Sequence, residues 1–272
     1  MSQKEKLLST VTPWDLVAPG YAEVTMKYFQ FYADHAVSLV RLREQSQILD
    51  VACGPGTLTL TAAPTVKSVQ SLDFSKSMLE ILAQKIEETN VQNVELTCRD
   101  GQSLPYEDNS FDAGFSLFGL MFFPDPLKGL KEIYRTLKPG GKVVISSWAP
   151  LSQSPVMQAM FGAFRAMNPN MPDPSTDLES LENPEFFQKQ LEAAGFKQVE
   201  VKPVTQGHPL ESVEKFWDDM VKGSAPLVMM KHRLPAQEWE DKNQIALDYL
   251  RKYFATANLN LSATAWFGVG QK

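Results

Sequence analysis

The sequence predicts an α/β protein built on a doubly wound sheet, parallel through its centre, with helical insertions. Three observations lead there. A strand-sized apolar run, Ile48, Leu49 and Val51, passes directly into Gly54-Pro55-Gly56 and then into a helix start at Thr57. Strand-like and helix-like segments then alternate as far as residue 148. Three successive candidate strands also end in a carboxylate, Asp50, Asp73 and Asp100. In open parallel sheets ligands bind beyond the carboxyl ends of the strands, beside the first of them.

Taken in order, residues 1–46 form an aromatic-rich N-terminal helical lid segment, with a helix expected from near Val24. Pro19-Gly20-Tyr21 reads as a loop, which makes Tyr21 the best ligand-contacting candidate there; Tyr28, Phe29 and Phe31 read as packing residues. Residues 47–148 form the cofactor-binding core. Its strands are expected at 47–51, 68–74, 93–100, 111–119 and 142–148. A short helix over 57–63 stops at Pro64, and a longer one, capped by Ser75, runs to about residue 88. A further helix covers 126–137 before the Pro139-Gly140-Gly141 turn.

After Trp148 the rhythm breaks. Residues 149–182 read as a lid insertion with a helix near 155–167, 183–204 as a core helix and strand, 205–258 as a second, helical lid insertion, and 259–272 as a closing strand. Seven of the eleven methionines lie between 157 and 230, which suits a wall that adapts to an irregular apolar ligand.

Composition narrows the class. At 272 residues the chain is long enough for one large domain with insertions. A net charge of −6 and the lack of any Lys/Arg run argue against a nucleic-acid partner. No stretch of about 18 apolar residues occurs, so no stable membrane insertion is expected. Cys53 and Cys98 lack zinc spacing and read as buried thiols on core strands, in a chain expected to be cytoplasmic.

The glycine turn itself separates cofactor classes. Gly54-Pro55-Gly56-Thr57-Leu58-Thr59 carries the first two glycines of a dinucleotide fingerprint but puts Thr59 at the third. No Gly-Lys-Ser/Thr follows, so it is not a P-loop. Asp50, four residues before Gly54, would repel a pyrophosphate yet suits a ligand bearing an ammonium and a sulfonium. Asp73, 23 residues after Asp50, stands at the distance where a carboxylate takes both hydroxyls of a ribose. Asp100, Gly101 and Gln102 would then border an adenine.

These residues resemble a known family. Asp50-x-x-x-Gly54-x-Gly56, Asp73-Phe74-Ser75-x-x-Met78-Leu79, Asp100-Gly101, Leu104-Pro105-Tyr106-x-x-x-Ser110-Phe111-Asp112 and Leu137-Lys138-Pro139-Gly140-Gly141 look like class I S-adenosylmethionine-dependent methyltransferases. The similarity is to the branch of the ubiquinone/menaquinone biosynthesis enzymes, and covers residues 45–148 strongly. The resemblance implies a Rossmann-like seven-stranded sheet whose last strand, over 260–270, is antiparallel. It implies S-adenosyl-L-methionine as cofactor, with Asp50, Ala52, Gly54 and Gly56 at its methionine part. Asp73 and Phe74 would take the ribose, with Met78 packed nearby. Asp100, Gly101 and Gln102 would bound the adenine, and Ser116 and Leu117 would line the methionyl side. Tyr21 matches a tyrosine that closes over the cofactor in similar enzymes, although Ala22 stands where an aspartate often follows.

Departures from neighbouring classes narrow the acceptor. Ser116-Leu117-Phe118-Gly119 replaces the Asn/Asp-Pro-Pro-Tyr of amino-adenine methyltransferases, neither cysteine follows a proline, and 112–123 lacks the paired glutamates of arginine-modifying enzymes. No carboxylate cluster assembles for a metal. What remains is a small hydrophobic or aromatic acceptor, methylated at O, N or C by a monomer or homodimer. Phe118, Met121, Phe122, Phe123, Met157, Phe161 and Trp217 are its candidate pocket, and His208, in Gly207-His208-Pro209, is the candidate general base. Two other readings stay open at this point: a cofactor-binding protein without catalysis, and a nicotinamide-dependent oxidoreductase, the latter disfavoured by Asp50 and Thr59.

Overall fold

A computed structural model describes residues 7–171, 179–207, 209–256 and 261–272. Seven strands form one sheet: β1 (Gln47–Val51), β2 (Ser68–Asp73), β3 (Val94–Cys98), β4 (Phe111–Leu117), β5 (Leu137–Trp148), β6 (Lys197–Gly207) and β7 (Ser262–Gln271). Their spatial order is β3-β2-β1-β4-β5-β7-β6. β1 to β5 pair in parallel, while β7 runs antiparallel to both β5 and β6. The sheet is thus the seven-stranded α/β sheet the sequence resembles, with its last strand reversed. Because β1 lies between β2 and β4, the winding direction changes beside β1, and the crevice opens at the β1 and β4 tips.

The central strands β1, β4 and β5 are largely buried on both faces, as βαβ connections require. Successive β1 residues supply opposite layers. Leu49 and Val51 pack with Leu72, Leu130, Ile133, Phe187 and Leu191; Ile48 packs with Tyr32, Val69, Phe115 and Phe267. The first layer is covered by α4 (Pro126–Thr136) and α6 (Pro184–Ala193), the second by α1 (Thr12–Ser38) and α2 (Thr57–Ala62). Local chemistry sets the helix starts. Ser75 accepts the Met78 N–H to begin α3 (Lys76–Glu88), and Asp125 accepts the Lys128 N–H ahead of Pro126.

The remaining helices, α5 (Pro155–Met167), α7 (Val213–Gly223), α8 (Ala225–Arg233) and α9 (Ala236–Thr256), build their own apolar cluster around Ala159, Trp217, Leu227, Trp239 and Leu250. α8 also joins α1 and α3 through Ala225, Val17, Ala18 and Met78. This helical layer stands over the crevice end of the sheet.

Two expectations are corrected. α1 does not begin near Val24; it starts at Thr12 and passes through Pro19 and Gly20, so Tyr21 sits on a helix rather than in a loop. A proline inside a helix costs about 3 kcal/mol. Burial of Val17, Ala18 and Val24 offsets that cost, and Gly20 lets α7 come close: a Cβ there would stand 2.4 Å from the Lys222 carbonyl oxygen. Cys98 is exposed, because β3 is the edge strand, and Cys53 lies in the turn after β1 rather than on a strand. No helix among the described residues is long and apolar enough to cross a membrane.

Candidate functional site

The crevice is built from strained backbone. Ala52 after β1 and Phe118 after β4 both hold left-handed conformations, with φ of 55° and 56°. Such conformations in residues other than glycine persist where the surroundings enforce them, and they concentrate at functional sites. Here they bend both chains away from the sheet at the β1/β4 switch point.

Asp50 is 1% exposed and accepts a hydrogen bond of 2.7 Å from Thr59 Oγ1, which also meets Ser71 Oγ at 2.7 Å. Burial, with Asp73 nearby, pushes the Asp50 carboxyl up to about 7. The third position of the glycine pattern therefore carries a hydroxyl that ties α2 to β1 and β2. Gly54, at φ 55°, donates its N–H to Asp73 Oδ2 at 2.8 Å, and Ser75 donates to Asp73 Oδ1 at 2.8 Å. Burial raises Asp73 to about 6 against the pull of these bonds. Beyond these backbone bonds the two oxygens, with about four lone-pair positions, keep acceptor capacity for a ligand.

Three neighbouring cavities surround these groups. The middle one, of about 140 Å³, is lined by Ala52, Gly54, Asp73, Phe74, Met78, Asp100, Gly101, Gln102 and Leu117 among others. A small one of about 40 Å³ reaches Asp50, Pro55 and Thr57 under α1. The large one, of about 390 Å³, is predominantly apolar and lies between α1, α5, α7 and the β4 and β5 ends. Tyr21 and Phe118 line all three; Trp14 and Phe122 line both the middle and the large one. Phe118 stacks on Trp148 with ring centroids 4.2 Å apart, and Trp14 meets Phe122 at 4.9 Å. Burial pushes the Tyr21 hydroxyl well above its usual range, so it stays protonated.

At the far end of the middle cavity Asp100 accepts the Gln102 N–H at 2.9 Å, and Gln102 Oε1 accepts the Asp125 N–H at 3.0 Å. This ties the Asp100-Gly101-Gln102 loop to the start of α4. The N-terminal helix is fastened across the same cavity: Ser75 Oγ donates to Asp15 at 2.6 Å, and Ser9 Oγ donates to the Phe122 carbonyl at 2.8 Å.

Several candidates sit elsewhere. Gly56 lines none of the three cavities; at φ 93° its missing Cβ makes room for Leu82, whose Cδ1 would lie 2.2 Å away. Ser116 lines none either. It is sealed in β4 opposite Ile145, and its buried hydroxyl has no hydrogen-bond partner among the described residues. Phe123 faces the middle cavity, its ring against Gly101, rather than the large one. Trp217 is 2% exposed and donates to Asn243 within the helical cluster. The helical period puts Phe216 and Met220 on the cavity side of α7 and turns Trp217 away. Phe161 lines none of the cavities, whereas Met157 and Met160 on the same helix line the large one with Met121. His208 lies outside the described residues.

The residues missed in the sequence include Ser9 and Trp14 at the middle cavity, Asp15 and the supporting role of Thr59 behind it, and Val24, Thr25, Tyr28, Lys215 and Asp219 around the large one. Trp14 at least carried a signal, an aromatic close to Tyr21; for α7 only the amphipathic period was available.

The chain is 39% identical over 124 residues to a demethylmenaquinone methyltransferase of Staphylococcus epidermidis, covering 44% of this chain and 51% of that one. It is 33% identical over 137 residues to a demethylmenaquinone methyltransferase of Listeria welshimeri, covering 48% and 58%. The chain thus spans about half the length of these curated relatives. Among solved structures, the 4+2 cyclase SpnF superposes with a TM-score of 0.65 at 20% identity, over 97% of this chain and 96% of that one. A methyltransferase-like protein of Bacillus halodurans gives 0.57 at 19% identity, over 88% and 98%. At these identities the likeness is one of fold. The family profile itself matches residues 22–210. That span takes in the whole parallel part of the sheet together with its glycine turn and the switch-point crevice, so the chain belongs to the ubiE/COQ5 methyltransferase family.

Proposed function

We propose that this chain is an S-adenosylmethionine-dependent methyltransferase acting on a hydrophobic or aromatic small molecule. The observation that carries this reading is the arrangement of two unlike cavities meeting at one aromatic wall. On one side Asp73, Gly54 and the Asp100–Gln102 loop offer acceptors and backbone to a ribose and an adenine; on the other lies a larger apolar chamber. The residues present fit the cofactor: two buried carboxylates in a crevice with small residues at Ala52 and Gly54 favour a cation carrying a diol. When bound, that cofactor supplies an electrophilic methyl group on a sulfonium.

Everything else belongs to the chain's own residues. Asp73 orients the ribose hydroxyls, and Asp50 holds the glycine turn through Thr59 and adds negative charge on the methionine side. Met78 and Phe74 flank the ribose side, and Leu117 lines both the middle and the small cavity, on the methionine side. Tyr21, Phe118, Trp14 and Phe122, in the wall that the two chambers share, would exclude water between the bound cofactor and an acceptor and orient one toward the other. Phe118 and Trp148, stacked in the chamber wall, give an aromatic acceptor a face to lie on. The relatives' names point to a quinone-type ring as acceptor.

Calorimetry with S-adenosylmethionine, its demethylated product and NAD tests the cofactor. Binding of NAD without binding of the sulfonium or its product overturns the reading. Turnover against quinols, phenols and amines, followed by mass of the product, then tests the transfer; binding without turnover on any of them favours a non-catalytic binding protein.

A further inference from the structure

The large cavity has one polar end. Tyr28, Lys215, Asp219 and Glu211 line it there, while Leu8, Val24, Phe29, Met121, Trp148, Val156, Met157, Met160, Phe216 and Met220 make the rest predominantly apolar. Asp219 is 4% exposed. It is ion-paired with Lys215 one helical turn earlier and accepts a 3.3 Å hydrogen bond from the Tyr28 hydroxyl. The Lys215 side chain is 51% exposed, so the cluster bridges cavity and solvent.

This polar end stands away from the methyl-donating side. Tyr21, in the wall common to all three cavities, and Tyr28 are seven residues apart on α1, roughly 10 Å along the helix axis. α7 runs the opposite way beside α1, with Lys222 against Gly20 and Asp219 against Tyr28. Glu211, Lys215 and Asp219 also lie beyond residues 22–210, so the family match spans Tyr28 but not the charged groups of this cluster.

Resting on the methyltransferase reading, we propose that Asp219 and Tyr28 form an acceptor-recognition site that selects a small aromatic molecule carrying a hydroxyl or amino donor opposite the atom that is methylated. Among the described residues, two carboxylates, Asp219 and Glu211, stand against one lysine at this end, which favours a donor or a cation over an anionic group. A carboxylate accepts only, so it selects for N–H and O–H groups. The 3.3 Å bond from Tyr28 is long, and exchanging it for a shorter bond to a ligand costs little. Burial and the neighbouring Asp219 raise the Tyr28 hydroxyl, so it remains a donor that can reach back to the ligand's oxygen. A purely apolar group placed at this end would take what remains exposed of Asp219 and Lys215 out of water and offer no hydrogen bond in return.

The test uses the full chain saturated with S-adenosylhomocysteine and three rigid probes: biphenyl with a hydroxyl at each para end, with one hydroxyl, and with none. Binding is read by calorimetry and by quenching of tryptophan fluorescence. The expected result is that the monophenol and the bisphenol, each able to place a hydroxyl at Asp219, bind about tenfold more tightly than biphenyl, as one hydrogen bond to a charged group gives. Asp219→Asn and Tyr28→Phe should each reduce that margin to about threefold or less, with S-adenosylhomocysteine affinity unchanged. Should Asp219→Asn fold poorly, Tyr28→Phe carries the test. No margin in the wild type, failure of all three probes to bind, or an equal loss for the phenols and for biphenyl in the variants overturns the proposal while leaving the cofactor reading intact. Failure of S-adenosylhomocysteine to bind overturns the cofactor reading itself.

Discussion

Replacing Asp73 by Asn separates ligand binding from folding more cleanly than any other single change. The side chain keeps its size, but only one carbonyl oxygen remains to accept from both the Gly54 and Ser75 N–H groups, which Asp73 holds at 2.8 Å each. Leaving one buried donor unsatisfied costs about 1–3 kcal/mol. Against this, the wild-type carboxyl is raised by burial from 3.8 to about 6, so ionising it in the ligand-free protein opposes folding. The sign follows from linkage. A carboxyl raised on folding binds more protons in the native state, so its favourable contribution is full below the unfolded value and is lost as pH rises through the folded one. Between about pH 4 and pH 6–7 that loss is on the order of 3 kcal/mol, and Asp73→Asn removes it. At neutral pH the two effects offset, and the thermal midpoint of the ligand-free protein should move by only a few degrees. Affinity for S-adenosylmethionine has no such offset. Loss of a charged acceptor to a ribose costs roughly 1.5–3 kcal/mol, or about 10- to 150-fold in Kd. Calorimetric titration at neutral pH and a thermal melt of the same preparation read the two quantities. Unchanged affinity, or an affinity loss matched by a collapse of the ligand-free melt, refutes the placement of the ribose at Asp73.

Three further outcomes follow from the same geometry. Binding of S-adenosylmethionine should strengthen with pH, by up to about tenfold between pH 5 and pH 8, because Asp73 at about 6 must be ionised to serve the ligand; calorimetry across that range showing a flat profile contradicts it. Gly56→Ala should destabilise the protein by about 2–4 kcal/mol in urea melts, since it adds a left-handed alanine to a collision with Leu82, and a loss under about 0.5 kcal/mol argues that α3 is free to shift. Phe216→Ala should weaken an aromatic acceptor by about 1.5–3 kcal/mol, whereas Trp217→Phe, on the opposite side of α7, should lower stability and leave acceptor affinity alone; the reverse pattern in paired binding and melting measurements contradicts the assigned faces.

The parallel core was legible because its signals are local. β1, β4 and β5 carry their own apolar runs, and α3 and α4 their own caps at Ser75 and Asp125, so neighbours within a few residues suffice to specify them. The glycine turn and the acidic strand ends belong to the same class of signal. Tyr21 illustrates the opposite case. Pro19-Gly20 reads locally as a break, and only the approach of α7, some two hundred residues later, makes the helix continuous and turns the glycine into a contact surface. Thr59 was read for the glycine it lacks, whereas in the fold it supplies the hydroxyl that holds Asp50.

By itself, then, the sequence determined the α/β class, the order of the parallel strands' elements, the turn at Gly54 and the carboxylates at Asp50, Asp73 and Asp100, because propensity, period and capping are set by neighbouring residues. The tertiary structure decided what those carboxylates touch. It also decided that Ser116, Gly56, Phe161 and Trp217 stand outside the cavities, and that Tyr28, Lys215 and Asp219 share one polar end of the apolar chamber. Those outcomes depend on which helix faces meet across the crevice, and a one-dimensional pattern gives the period of a face without its partner.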